Sequence, residues 1–195
     1  MMRDDIDSLL KEMAARLEMA GSAPVELIAC GGAAVSMTID FMRTTADVDI
    51  LAEVVRDESG RAKLRIPVTP DLDRVASEMA DILDLNPDWI NSEASVQTAL
   101  GLPEGLLERA KAINYGAALT VYFPAREDLL ALKIMAALQR DEKDAADIRV
   151  LMEDGDETKR AVAWCVARGV STFKLCEVLR RTGVEDPEGL LRKLD

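Results

Sequence analysis

Two stretches decide the fold: VELIACGGAA over residues 25–34 and RTTADVDIL over residues 43–51. In the first, a short apolar run over residues 25–29 meets Gly31-Gly32, which reads as a buried strand passing into a tight turn. Residues 33–41 suit a short helix. In the second, residues 47–51 alternate acidic and apolar side chains, as a strand with one polar edge would. Asp47 and Asp49, two apart on such a strand, point to the same side with Cα atoms about 6.5–7 Å apart. Carboxylates so placed can converge on one Mg²⁺ ion or bracket a pair, because Mg²⁺ takes hard oxygen ligands from one or two carboxylates and substrate phosphates. The same spacing fits a solvated strand edge. Gly31-Gly32 also has two readings. Glycine lets backbone approach a phosphate, and a helix N-terminus offers N–H donors to an anion; or the pair is a tight strand-to-helix turn and nothing more.

Working outward, Ile6, Leu9, Leu10, Met13 and Leu17 fall at helical spacing, and Gly21 suits a C-cap. Residues 56–65 are polar with a glycine, a loop or hairpin. Pro70 opens a helix with Leu72, Val75, Ala76, Met79, Ile82 and Leu83 on one face, and Pro87 ends it. Residues 89–100 are ambiguous, and Pro103 starts a short helix. Residues 117–123 read as a strand closed by Pro124. Residues 128–138 and 141–152 read as helices, with Gly155 ending the second. Residues 157–194 read as two or three short helices broken by Gly169, Gly183 and Pro187. The order is helix, strand, helix, strand, helix, strand, then helices. It predicts an α/β (α+β) chain: a small mixed sheet with packed helices over residues 1–153 and a helical segment over residues 154–195.

Composition narrows the chemistry. With 49% hydrophobic and 31% charged residues in 195, the chain has the make-up of a soluble globular protein. No apolar run approaches the roughly 18 residues that span a bilayer, and the acidic, periodic N-terminus lacks a signal peptide's layout, so a cytoplasmic protein without membrane partners is expected. Cys30, Cys165 and Cys176 match neither a disulfide framework nor a zinc spacing. The absence of histidine excludes Ser-His-Asp and Cys-His nucleophiles, HExxH zinc sites and a histidine base. Acid–base and metal chemistry must therefore come from carboxylates and lysines. A net charge of −12 disfavours generic nucleic-acid binding. Residues 1–100 carry 9 Lys/Arg against 19 Asp/Glu and residues 101–195 carry 15 against 17, so a polyanion would meet the second half and metal cations the first.

Gly31-Gly32-Ala33-Ala34 followed, with fourteen residues between Gly32 and Asp47, by the acids of Arg43-Thr44-Thr45-Ala46-Asp47-Val48-Asp49-Ile50 resembles the N-terminal motif of the nucleotidyltransferase superfamily. The closest resemblance is to bacterial nucleotidyltransferase-like proteins of the AbiEii toxin type and their small relatives, at Gly31, Gly32, Ala34, Arg43, Thr45, Asp47 and Asp49. A second block, residues 127–136 followed by Arg140-Asp141-Glu142-Lys143-Asp144-Ala145-Ala146-Asp147-Ile148, looks like the same family's later helices. On one continuous helix Lys133 and Asp144 would lie about 16 Å apart. A break near Asp141 would bring them together, with Asp141 as N-cap and Asp144 at N3, where a capping-box acid sits. Lys133 lies amid Leu129, Leu132 and Ala136, so its ammonium either snorkels to solvent or pairs with a triphosphate or with Asp144.

The resemblance implies a nucleotidyltransferase-type fold and a metal-dependent transfer of a nucleoside monophosphate from a nucleoside triphosphate (NTP). Asp47 and Asp49 would hold Mg²⁺ or Mn²⁺, with Gly31, Gly32, Arg43 and Thr45 at the nucleotide. Lys133 would offset triphosphate charge, and Asp144 or Asp147 would complete the site. The acceptor would be an RNA, a protein or a small molecule. A toxin–antitoxin role with an antitoxin partner is compatible with the likeness. One departure stands out: the strand over residues 119–123 lacks the third acid that complete members carry, leaving Asp144, Asp147 or the remote Glu93 to supply it. A catalytically inactive module that binds nucleotide or a protein partner is the alternative. The basic residues over 157–194 fit either a cleft wall or the solvent faces of helices, and Trp89 and Trp164 fit base stacking or burial.

Overall fold

The computed structural model describes residues 1–39, 43–138 and 144–194. The chain forms two compact units, Met1–Gly101 with Leu107–Pro124, and Leu102–Leu106 with Ala125–Asp195. In the first, α1 (Arg3–Met19) buries Ile6, Leu10, Met13 and Leu17 along one stripe. Its acidic first turn faces the favourable end of the helix dipole. Strands β1 (Val25–Cys30), β2 (Val48–Arg56), β3 (Ala62–Arg65), β4 (Ile90–Asn91), β5 (Lys111–Asn114) and β6 (Leu119–Phe123) build one mixed sheet in the order β3-β2-β1-β6-β5, with β4 beside β2. β1 runs antiparallel to β2 and parallel to β6. Its side chains are buried at nearly every position, which matches its nearly continuous apolar sequence. The helices α2 (Gly31–Thr38) and α3 (Pro70–Leu83) belong to the same unit, and α1 packs on both.

The β1–β2 ladder is interrupted between Ile28 and Ala29. Ile28 pairs with Ala52 and Ala29 with Ile50, so Leu51 is an extra residue in β2. A bulge of this kind resets the alternation of side chains along a strand. Asp49 and Glu53, on either side of it, accordingly serve different surroundings. Glu53 is buried, accepts two hydrogen bonds from Arg65 and a third from the Thr69 N–H at 2.8 Å.

The polar stretch after β2 is a hairpin to β3, one of the two forms read from its sequence. Elsewhere the structure departs from the sequence reading. Pro70 does open α3, but the helix stops at Leu83, ahead of Pro87, because Asp84 turns into the left-handed region at φ 51° and the Leu85 N–H closes on Ala80 O. Trp89 is buried and donates its indole N–H to Ala76 O on α3, which answers the choice between stacking and burial. Residues 93–100 form a 3₁₀ helix packed on β2. Pro103 precedes a short helix, α4 (Leu106–Arg109).

The second unit gathers α5 (Arg126–Ala137), α6 (Ala145–Leu151), α7 (Gly155–Ala167), α8 (Thr172–Arg181) and α9 (Pro187–Leu191) around α5, whose Leu129, Leu130 and Ile134 are fully buried. Gly155 opens α7 and does not end α6. Asp154 caps that start by accepting from the Asp156 and Glu157 N–H groups. Asp144 is not an N3 acid: it is the cap residue of α6 and makes no capping bond, because its carboxylate is held by a cation instead. Asp141 and Arg140 lie outside the described residues. No helix among the described residues is long and apolar enough to cross a membrane.

Candidate active site

The end of β1 builds the site's floor. Cys30 is extended, Gly31 swings to φ +65°, and α2 begins at once. A side chain at φ +65° costs about 1–2 kcal/mol in an L-residue and nothing in glycine. Space makes the same demand. A Cβ on Gly31 would lie 1.9 Å from Asp49 Oδ2, and a Cβ on Gly32 would lie 2.8 Å from both Arg43 Nη1 and Thr45 Oγ1. The two glycines therefore form a trough into which the second motif stretch settles.

That stretch arrives by strand pairing. Asp49 is opposite Cys30 on β1 and beside Asn91 on β4. Val48 and Ile50 are buried, whereas Asp47 and Asp49 are half-buried, which puts the two acids on one side. The Thr45 hydroxyl lies 3.1 Å from Asp47 O and 3.3 Å from Asp47 Oδ1, so a single O–H fixes the approach to Asp47. Asp47, Asp49, Gly31, Gly32, Arg43 and Thr45 are thus assembled by one turn, the irregular segment 43–47 and the start of β2. Asn91 joins them unannounced, since residues 89–100 carry no clear period. Its amide is engaged locally with Asp88 O and the Glu93 N–H, and Glu93 itself is exposed.

Among the described residues no cluster of three or more acidic, cysteine or histidine side chains is assembled to hold a metal ion. Two carboxylates on a trough made by glycines nevertheless suit Mg²⁺ or Mn²⁺, which keep coordination places for water and phosphate oxygens. β6 brings no acid. Its Tyr122 hydroxyl donates to Glu26 Oε2, and Arg56 bonds the same carboxylate at 3.0 Å. The hydrogen bond from Arg56 outweighs partial burial and holds the Glu26 carboxyl below its ordinary range.

In the helical unit Lys133, Asp144 and Asp147 meet. Lys133 Nζ lies 2.6 Å from Asp144 Oδ1 and 2.9 Å from Asp147 Oδ2, and all three residues are at least nine-tenths buried. The break between α5 and α6 brings Lys133 and Asp144 together across 11 residues of sequence. Burial works against the lysine's charge, but Asp147 and Asp144 outweigh it and hold the ammonium above its ordinary value. Asp144 Oδ2 is buried with no hydrogen-bond partner among the described residues.

The basic C-terminal helices are laced to local acids: Lys159 to Asp156, Arg160 to Glu127, Arg180 to Glu188. Arg168 stacks 5.2 Å over the Trp164 ring. A groove of about 650 Å³ between Phe173, Cys176 and Leu191 holds none of the candidate catalytic, metal or nucleotide residues.

Residues 5–154 match the family described as a nucleotidyltransferase of unknown function, DUF6036. The chain matches no curated protein and no solved structure. The matched span carries the glycine turn and the acid pair in the sheet unit and the Lys133 cluster in the helical unit. The chain belongs to this nucleotidyltransferase family, and through it to the nucleotidyltransferase superfamily.

Proposed function

We propose that this nucleotidyltransferase is metal-dependent and transfers a nucleoside monophosphate from an NTP to an acceptor oxygen on an RNA, a protein or a small molecule. One observation carries the reading: Asp49 sits directly on Gly31, with Asp47 tied by Thr45 beside Gly32. Asp47 and Asp49 would hold Mg²⁺ or Mn²⁺, and the N–H groups of the Gly31-Gly32 turn would meet the phosphates. The metal, when bound, supplies charge neutralisation at the transferring phosphoryl group. Thr45 orients Asp47. The acceptor oxygen bonds the α-phosphorus, the bond to the bridging oxygen breaks, and pyrophosphate leaves. The acceptor's proton would leave to solvent, while Lys133, Asp144 and Asp147 hold one another as a buried charge cluster within the helical unit. An AbiEii-like toxin role, with an antitoxin as partner, rests on the motif resemblance.

The test is a titration with Mg²⁺ and each NTP, followed by pyrophosphate release with tRNA, proteins and aminoglycosides as acceptors. Turnover that disappears in Asp49→Asn while the fold persists supports the enzyme. Nucleotide binding without turnover for any acceptor supports a second reading, a nucleotide-binding module, which the acid-free β6 favours. No nucleotide binding at all would refute both.

A further inference from the structure

The segment that carries Asp47 to the glycine turn has no regular structure of its own. Residues 43–47 belong to neither helix nor strand, and β2 starts at Val48. A carboxylate on irregular backbone is placed only as well as that backbone is held. Thr45 does the holding. It is buried, its hydroxyl lies 3.3 Å from Asp47 Oδ1, and both of its backbone groups are bonded to one residue 44 positions away. The Thr45 N–H donates to Met1 O at 3.0 Å, and the Met1 nitrogen donates to Thr45 O. This two-way bridge ties Thr45 to α1, which begins at Arg3 and is anchored in the core by Ile6, Leu10, Met13 and Leu17. Arg3 adds a second tie by donating to Met37 O at 3.1 Å, in the last turn of the helix that begins at Gly31. One end of α1 thus grips both sides of the trough, α2 and the acid-bearing segment. The bridge uses backbone groups alone, so residues placed ahead of Met1 would leave both bonds intact.

Resting on the proposed function for Asp47 as a metal ligand, we infer that Met1 is a positioning residue whose backbone bridge to Thr45 sets the Asp47 carboxylate for the divalent cation. The path is short: Met1 backbone, Thr45 backbone, Thr45 hydroxyl, Asp47 Oδ1. Outer partners of a ligating carboxylate fix its orientation, and losing one lowers metal affinity about 10- to 100-fold. Met1 acts one residue further out than Thr45, so its loss should cost less, about 3- to 10-fold.

The experiment titrates Mn²⁺ into wild type, a chain starting at Met2, a chain with Gly-Ser ahead of Met1, and that extended chain carrying Met1→Pro, which loses the N–H and keeps the carbonyl. Urea unfolding reports the fold. Removal of Met1 should weaken Mn²⁺ binding about 3- to 10-fold, the extended chain should bind as wild type does, and its Met1→Pro variant should fall between. Glu53→Gln, which weakens the sheet unit at the Thr69 N–H, should keep its Mn²⁺ affinity. In Thr45→Val the hydroxyl link to Asp47 is already gone, so removal of Met1 should change Mn²⁺ affinity by less than about twofold. Equal losses in the Thr45 and Val backgrounds overturn the inference, as does undiminished affinity in a folded chain lacking Met1, or a loss in the extended chain as large as that on removal. Should the chain lacking Met1 fail to fold, undiminished affinity in the extended Met1→Pro variant overturns it. These results leave the proposed function standing. If wild type binds no Mn²⁺ that Asp47→Asn or Asp49→Asn abolishes, the inference falls together with the function it rests on.

Discussion

Adding one methyl group at Gly31 should disable the site far more than it destabilises the fold. Gly31→Ala places a Cβ 1.9 Å from Asp49 Oδ2, whereas real Cβ contacts essentially never fall under 3.0 Å. The carboxylate must retreat by more than about 1 Å or leave its rotamer, at about 0.5–1.5 kcal/mol. The left-handed backbone adds about 1–2 kcal/mol. Gly60 provides the control: its φ is +78° and nothing lies within 4 Å of its missing Cβ, so Gly60→Ala carries the backbone cost alone. Urea unfolding should find both variants weakened by about 1–2 kcal/mol, with Gly31→Ala up to about 1.5 kcal/mol worse. Mg²⁺-dependent nucleotide binding or turnover should separate them sharply. A catalytic group displaced by about 1 Å loses on the order of 100-fold, roughly 2.7 kcal/mol. Gly60→Ala should keep wild-type activity. Equal behaviour of the two variants in both assays would show that Asp49 does not depend on the space over Gly31, and the reasoning would fail.

Thr45→Val keeps the shape and removes the hydroxyl that steadies Asp47; metal affinity should fall about 10- to 100-fold, and Thr45→Ser should restore most of it, measured by Mn²⁺ titration. Lys133→Met strands Asp144 and Asp147 and should cost about 3–5 kcal/mol in urea unfolding, with recovery when Asp144→Asn and Asp147→Asn are added; no recovery would refute the charge argument. Because the folded Lys133 ammonium is held above its ordinary value, its stabilisation is complete below the unfolded value near 10.5 and is lost as pH rises through the folded one; melting temperatures from pH 9 upward should fall more steeply in wild type than in the triple variant. Glu53→Gln leaves the Thr69 N–H and Arg65 with a weaker acceptor and should cost about 1–3 kcal/mol without changing nucleotide affinity, which melting and titration together would check.

The parts of the molecule with strong periodicity were readable in advance. The stripe of α1 and the acid–apolar alternation of Asp47-Val48-Asp49-Ile50 each report burial directly, since one face meets the core and the other does not. β3 and β5 gave no such signal, because their side chains are exposed at nearly every position and their order comes from backbone pairing with β2 and β6. The left-handed stop at Asp84 hides in an ordinary aspartate, so the more conspicuous Pro87 draws the boundary. At the site, residue types and spacing identified the glycines and acids. The bulge at Leu51, the seat of Asp49 on Gly31 and the share of Asp147 in holding Lys133 are products of pairing and packing that no local pattern encodes.

The three thiols turn each compact unit into its own clock. Cys30 lies in the sheet unit, next to Gly31, while Cys165 and Cys176 lie in the helical unit, and all are buried. Burial pushes the Cys165 thiol up to about 12, so it stays unreactive toward disulfide reagents while its helix is closed. Peptide-resolved labelling over time would therefore read the opening of each half separately, from unmodified protein, and slowing of the Cys30 signal by added nucleotide would register ligand arriving at the adjoining turn.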